Sequence, residues 1–137
     1  MILDTNGLSA LADGDLTLEP ILRQATSISL PVIVLGEYRY GIRQSRNRAR
    51  YEHWLAEAVG DYNVLDVDQG TAGYYAEVRE DLKRKARPIP ANDLWIAALA
   101  RQHRLPVLSR NRHFDFVPGL KRLTCSKHAG LNTKRSP

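Results

Sequence analysis

The chain has 137 residues, 43% of them hydrophobic, a formal net charge of +5 and a single cysteine, Cys125. That length supports one domain around one core and is too short for two ordinary domains. One cysteine excludes an internal disulfide, no apolar run approaches a membrane span, and the start Met1-Ile2-Leu3-Asp4 meets a carboxylate before a signal-like stretch can form, so a soluble, cytoplasmic protein is expected.

The charge is unevenly placed. All 15 acids and 15 of the 20 Lys and Arg residues precede residue 121, so the body is formally neutral. Lys121, Arg122, Lys127, Lys134 and Arg135 carry the excess. A flexible basic tail over 126–137 suits either a polyanion or simple solubility.

Ile2-Leu3 reads as a short strand ending at Asp4, Thr5-Asn6-Gly7 as a turn, and Leu8-Ser9-Ala10-Leu11-Ala12 as the start of a helix. The apolar run 28–35 is interrupted by Pro31, which breaks a central strand but is at home in the first turn of a helix. The reading is therefore a strand over 28–30 and a helix from 31, with Glu37 in its second turn and a bend at Gly41. A further helix is expected over 43–59, with Trp54, Leu55 and Ala58 facing the core.

Val64-Leu65-Asp66-Val67 reads as a strand and 69–86 as a long helix, with Ala72, Tyr75, Ala76, Val78, Arg79 and Leu82 at helical spacing. Arg87-Pro88-Ile89-Pro90 must be a loop, because two prolines in three residues stop a helix. Asn92 can cap the next helix, in which Ile96, Ala97 and Ala100 follow Asp93 at i+3, i+4 and i+7. Pro106-Val107-Leu108-Ser109 is a strand leading into the turn Arg110-Asn111-Arg112-His113, and Leu123-Thr124-Cys125 is a last edge strand. Short strands alternating with helices specify an α/β domain with a mostly parallel sheet.

In an open parallel sheet, ligands gather beyond the carboxyl ends of the strands. Asp4, Glu37, Asp93 and Asn111 all fall at that edge on this reading. Singly each has an ordinary role: Asp4 as a turn acid, Asp93 as a first-turn helix acid, Glu37 as a surface ion-pair partner, Asn111 as a turn residue. Together, three converging carboxylates repel one another, and a divalent cation removes that penalty. Oxygen-only donors favour Mg²⁺ or Mn²⁺ over zinc. Arg39, Arg43, Arg46 and Arg50 recur at i, i+4, i+7 and i+11, forming one basic stripe if the helix runs unbroken through Gly41, and Arg110 and Arg112 flank Asn111. Such residues can track phosphates or simply solvate a face. Trp95 and Tyr40 can stack on a base or fill the core.

Four segments in order, Ile2-Leu3-Asp4-Thr5-Asn6, Leu35 to Gly41, Ile89 to Ala98 and Leu108 to Phe114, resemble the motifs of PIN-domain ribonucleases, most closely the VapC-type toxins of toxin–antitoxin modules. The resemblance spans residue 2 to about residue 125 and includes the closing Val117-Pro118-Gly119-Leu120. It implies a single PIN-like nuclease domain over 1–125, a basic tail over 126–137, and Mg²⁺- or Mn²⁺-dependent hydrolysis of RNA phosphodiesters. By position it assigns Asp4, Glu37, Asp93 and Asn111 to the catalytic set and Asp4 and Asp93 to the metal. Thr5, Asn6 and Ser109 become supporting residues, and Arg39, Arg43, Arg110 and Arg112 RNA contacts. It further implies a VapB-like antitoxin that silences the site and a homodimer.

The sequence departs from the family at Asn111, where the family most often has Asp. A neutral side chain there puts a second metal in doubt, and Asp115 is a possible stand-in. Glu37 either completes the coordination or orients water. Two other function classes stay open: a catalytically weakened PIN-like module that binds RNA or protein, and a phosphotransfer domain using Asp4 as nucleophile. The second fits poorly, since Asp4 has no acid two residues on and no Lys lies in the turn just after 109.

Overall fold

A computed structural model describes residues 1–124; Cys125 and the tail 126–137 lie outside the described residues. Five strands form one sheet in the order β3-β2-β1-β4-β5, every neighbouring pair parallel. They are β1 (Ile2–Leu3), β2 (Ser29–Pro31), β3 (Asn63–Leu65), β4 (Val107–Leu108) and β5 (Arg122–Leu123). The expected mostly parallel sheet is thus entirely parallel among the described residues. Six helices surround it: α1 (Thr5–Ala12), α2 (Glu19–Gln24), α3 (Val32–Arg43), α4 (Arg48–Ala58), α5 (Gln69–Arg84) and α6 (Ala91–His103).

Parallel strands covered on both faces must be apolar throughout rather than alternating. The central strands obey this: Ile2, Leu3, Leu30, Val107 and Leu108 are fully buried. They meet Leu8 of α1, Val34 of α3, Val78 of α5 and Leu99 of α6 in one core. The N-terminus of α5 is fixed by a capping box, in which Asp68 accepts from the Thr71 N–H and Thr71 accepts from the Asp68 N–H, both at 3.0 Å.

Several boundaries differ from the sequence reading, each for a local reason. Pro31 is the last residue of β2 and the N-cap of α3, because its φ of −60° with ψ of 140° completes the strand before the helix turns. The helix predicted over 43–59 begins later: α3 continues through Gly41 to Arg43, a turn spans 44–47, and α4 starts at Arg48. The arginine stripe is therefore broken, with Arg39 and Arg43 on α3, Arg46 in the turn and Arg50 on α4, its guanidinium over the Tyr51 ring. In α5 the buried positions are Thr71, Val78 and Leu82, while Ala72 and Ala76 face solvent. Pro90, not Asn92, holds the N-cap of α6. The last strand is Arg122–Leu123, one residue earlier than expected, so Lys121 and Arg122 belong to the folded body. The segment Leu16–Gln24, which the sequence reading passed over, forms a 3-10 turn and α2.

Candidate active site

Asp4 follows β1 directly, so the central strand delivers its carboxylate to the carboxyl edge of the sheet. It is also the N-cap of α1: its Oδ1 accepts from the Gly7 N–H at 3.0 Å. A Cβ at Gly7 would lie 3.2 Å from the Leu108 carbonyl, so the absent side chain lets α1 approach β4 closely. The other Asp4 oxygen accepts from the Ser109 hydroxyl just beyond β4. That hydroxyl in turn accepts from the Asn111 N–H at 2.8 Å, which ties the turn after β4 to the first acid.

Glu37 arrives from α3. One of its oxygens accepts from the Thr5 hydroxyl at 2.8 Å and the other from the Asn92 amide at 2.6 Å. Asp93 comes from the first turn of α6, where the positive end of the helix dipole favours an anion. Its Oδ2 receives the Asn111 amide at 3.2 Å and lies 3.1 Å from His113 Nδ1. The Asn111 carbonyl oxygen accepts from the His113 N–H at 3.0 Å and so caps the 3-10 turn Arg112–Phe116.

The Asp4 carboxyl feels the other two. Burial pushes the Asp4 carboxyl above the usual range, the hydrogen bonds from Ser109 and Gly7 pull it back, and the Asp93 and Glu37 charges push it further up. Asp4 is only 4% exposed, so its anionic form is desolvated and placed beside two like charges. No cationic Lys or Arg side chain is hydrogen-bonded to any of the three among the described residues.

A divalent cation fits this donor set in kind: all oxygen, three carboxylates of one sign, one of them buried. It is not a finished cage, since among the described residues no three acidic, His or Cys side chains form a ready metal cluster. Hydroxyls, amides and the His113 imidazole occupy the acids in the protein as described.

The remaining predicted residues fall into two groups. Thr5 and Ser109 join the cluster through Glu37 and Asp4, while Asn6 is exposed and accepts from the Arg110 N–H at 3.3 Å. Arg110 reaches sideways, its guanidinium 3.1 Å from Asp15. Asp115 points away from the acids and is held by Arg122 through two hydrogen bonds, of 2.8 and 3.0 Å, so it is no stand-in for Asn111. Trp95 stacks on Tyr75 at 4.1 Å between ring centroids, while Tyr40 stays exposed. Sequence reasoning did not foresee the contacts of Asn92 with Glu37 or of His113 with Asp93. Asn92 carried a signal, an amide beside an acid at a helix start, but the spacing assigned it to capping its own helix.

The profile of the PIN domain matches residues 1–120. The chain belongs to the PIN-domain family. This PIN domain is 31% identical over 120 residues to Ribonuclease VapC5 of Mycobacterium tuberculosis, which covers 86% of the chain and 87% of that protein. Over 90 residues it is 32% identical to the tRNA(fMet)-specific endonuclease VapC of Shigella flexneri, covering 65% of the chain and 68% of that protein. Its fold is similar to a chain of DNA-bound VapBC from Salmonella typhimurium, with a TM-score of 0.79, 26% identity and 90% and 96% of the two chains covered. A chain of VapBC2 from Rickettsia felis, bound to a promoter DNA fragment, aligns with a TM-score of 0.78, 25% identity and the same coverages. The VapC-type resemblance and the α/β fold expected from the motifs both hold. No described helix of this PIN domain is long and apolar enough to cross a membrane.

Proposed function

We propose that this PIN domain is a Mg²⁺- or Mn²⁺-dependent endoribonuclease, the toxin of a toxin–antitoxin pair, silenced by a cognate VapB-like antitoxin. The observation that carries the reading is the convergence of Asp4, Glu37 and Asp93 on one sheet edge, with the Asp4 carboxyl pushed up by burial and by the other two acids. Such an arrangement is unfavourable for the protein alone and favourable once a cation arrives. Asp4 and Asp93 are the residues that would hold it.

When bound, the ion supplies a Lewis acid for the phosphate and acidifies its water. Glu37 is gripped at both oxygens by Thr5 and Asn92, a fixed placement that suits it to orienting the attacking water. Ser109 holds Asp4 in register with the turn that carries Asn111. Arg39, Arg43 and Arg112, all exposed, supply cations for the RNA backbone, and Arg110 is braced by Asp15 at the same rim. An antitoxin placing a basic side chain among the three carboxylates would neutralise the same repulsion that the metal does. The family relationship supports a homodimer and a cytoplasmic location as parts of this reading.

A second reading, a catalytically weakened RNA-binding module, draws on Asn111, whose oxygen is committed to the His113 N–H. One experiment separates them: purified protein incubated with structured RNA and Mg²⁺ or Mn²⁺, beside Asp4→Asn and Asp93→Asn. Cleavage that needs the ion and is lost in both variants supports the ribonuclease. Cleavage surviving both changes, or none with either ion, removes it.

A further inference from the structure

The run Lys83-Arg84-Lys85-Ala86-Arg87, at the end of α5 and in the loop that delivers α6, holds four cations in five residues. Three of them have structural partners. Arg84 pairs with Glu80 and Asp81, Lys85 donates to the Phe116 carbonyl at 3.4 Å, and Arg87 lies over the Phe116 ring. Lys83 is exposed and makes no ion pair among the described residues, and Arg79, one turn earlier, donates only to the Tyr75 hydroxyl at 3.2 Å.

These two cations rim a groove of about 580 Å³ between α5 and α6. Leu82, Ile89 and Leu94 form its floor and Tyr75 one wall, and no acid lines it. Tyr75 is backed by the Trp95 ring, so the aromatic wall is braced from behind. A space of this size with an apolar floor, an aromatic wall and two cations at the lip matches a nucleobase with its phosphates: the base takes the apolar and aromatic surface, the phosphates take Lys83 and Arg79. An acidic peptide would satisfy the cations but leave the flat apolar floor and the tyrosine unused.

Its place ties the groove to the chemistry. Ala91 and Leu94 line it, and Asn92 and Asp93, which sit between them in sequence, turn toward the carboxylate cleft. Groove and cleft are therefore separated by the width of one helix turn, about 10 Å, roughly one or two nucleotides along a strand.

We propose that the α5/α6 groove is a nucleotide subsite that holds a base of single-stranded RNA one or two positions from the phosphate presented to Asp4, Glu37 and Asp93. This rests on the ribonuclease reading.

The test uses the full chain carrying Asp4→Asn, to prevent cutting, and fluorescein-labelled 12-nucleotide oligo(U) and oligo(A) as probes, read by anisotropy at several salt concentrations. The double variant Arg79→Ala with Lys83→Ala, both surface positions, is expected to bind at least about tenfold more weakly. Its log–log salt slope is expected to be shallower by roughly 1.4, the value for two lost single-strand phosphate contacts. Tyr75→Phe is expected to keep affinity and Tyr75→Ala to lose it, and 4-thiouridine placed beside the cut site is expected to crosslink to Tyr75. In the unblocked chain the double variant is expected to raise KM while Mn²⁺ binding, read by calorimetry, stays unchanged. Wild-type affinity and salt slope in the double variant, in a chain that does cleave RNA, would overturn the subsite alone. A chain that neither cleaves nor binds any RNA would remove the ribonuclease reading with it. A change in oligomeric size with unchanged RNA affinity would assign the groove to contact between copies and overturn the proposal.

Discussion

Asp4 follows β1 and Asp115 faces Arg122 of β5, two strands of one sheet with β4 between them, yet their surroundings are opposite. Asp115 meets a guanidinium in two-pronged geometry, and the Arg122 hydrogen bonds hold its carboxyl below the ordinary range. Asp4 meets a hydroxyl, a backbone N–H and two other acids, and its carboxyl is pushed up. The same contrast holds for Asp68, pulled down by Gln102 and Thr71 at the start of α5. Acids that serve the fold carry partners that settle their charge within the chain. Asp4, buried and crowded by two further acids, keeps its charge unsettled, which is the condition for binding a cation from outside.

The strongest way to break this contrast is to neutralise one edge acid. Asp4→Asn or Asp93→Asn is expected to lower metal-dependent RNA cleavage by at least ~100-fold while leaving the fold intact by circular dichroism. Retained cleavage would mean that the unsettled charge serves no chemistry. Next in size, Asn92→Ala removes the amide from Glu37 and is expected to reduce the rate by roughly 10-fold with little change in melting temperature. An unchanged rate would make Asn92 a bystander. Asn111→Asp adds a fourth charge, so it should tighten Mn²⁺ binding in calorimetry and lower the melting temperature of the metal-free protein; the opposite pair of changes would show that the edge has charge to spare.

Asp115→Asn should do the reverse of the edge variants. Its carboxylate is about half exposed, so the expected loss is about 1 kcal/mol or less, a melting shift of a few degrees, with cleavage unaffected.

The smallest effect is in pH. Because the folded Asp4 carboxyl binds its proton more tightly than the unfolded one, metal-free stability should fall as pH rises from the ordinary carboxylate range through the raised folded value. Asp115 works in the other direction, its contribution vanishing as pH falls through its depressed folded value. Chemical denaturation of the metal-free protein across mildly acidic pH, with Asp4→Asn alongside, checks the sign: the descending limb should disappear in the variant.

Much of this was legible in the sequence because the relevant signals are local. Ile2-Leu3-Asp4 announces a buried strand that ends at an acid, and Pro88-Ile89-Pro90 fixes where α6 starts. Pro31 and the turn over 44–47 were harder, since a proline fits both a strand end and a helix start, and no glycine or proline marks the break after Arg43. Of the site, the three acids could be placed at one edge by strand order alone. The hydrogen bonds from Asn92 and His113 could not, because they join residues 55 and 20 positions apart that only the packing of α3, α6 and the turn after β4 brings together.

Residues 1–4 hang from both neighbouring strands: the Ile2 N–H bonds to the Pro106 carbonyl, the Ser29 N–H to the Met1 carbonyl and the Asp4 N–H to the Leu108 carbonyl. An amide so placed exchanges with solvent only when the sheet itself opens, so the Asp4 N–H should be among the slowest to exchange in deuterated buffer, near the global limit. The first acid then cannot drift while the fold persists. Weakening this protein would lower the fraction of molecules that are competent, and leave the competence of each folded molecule as it was.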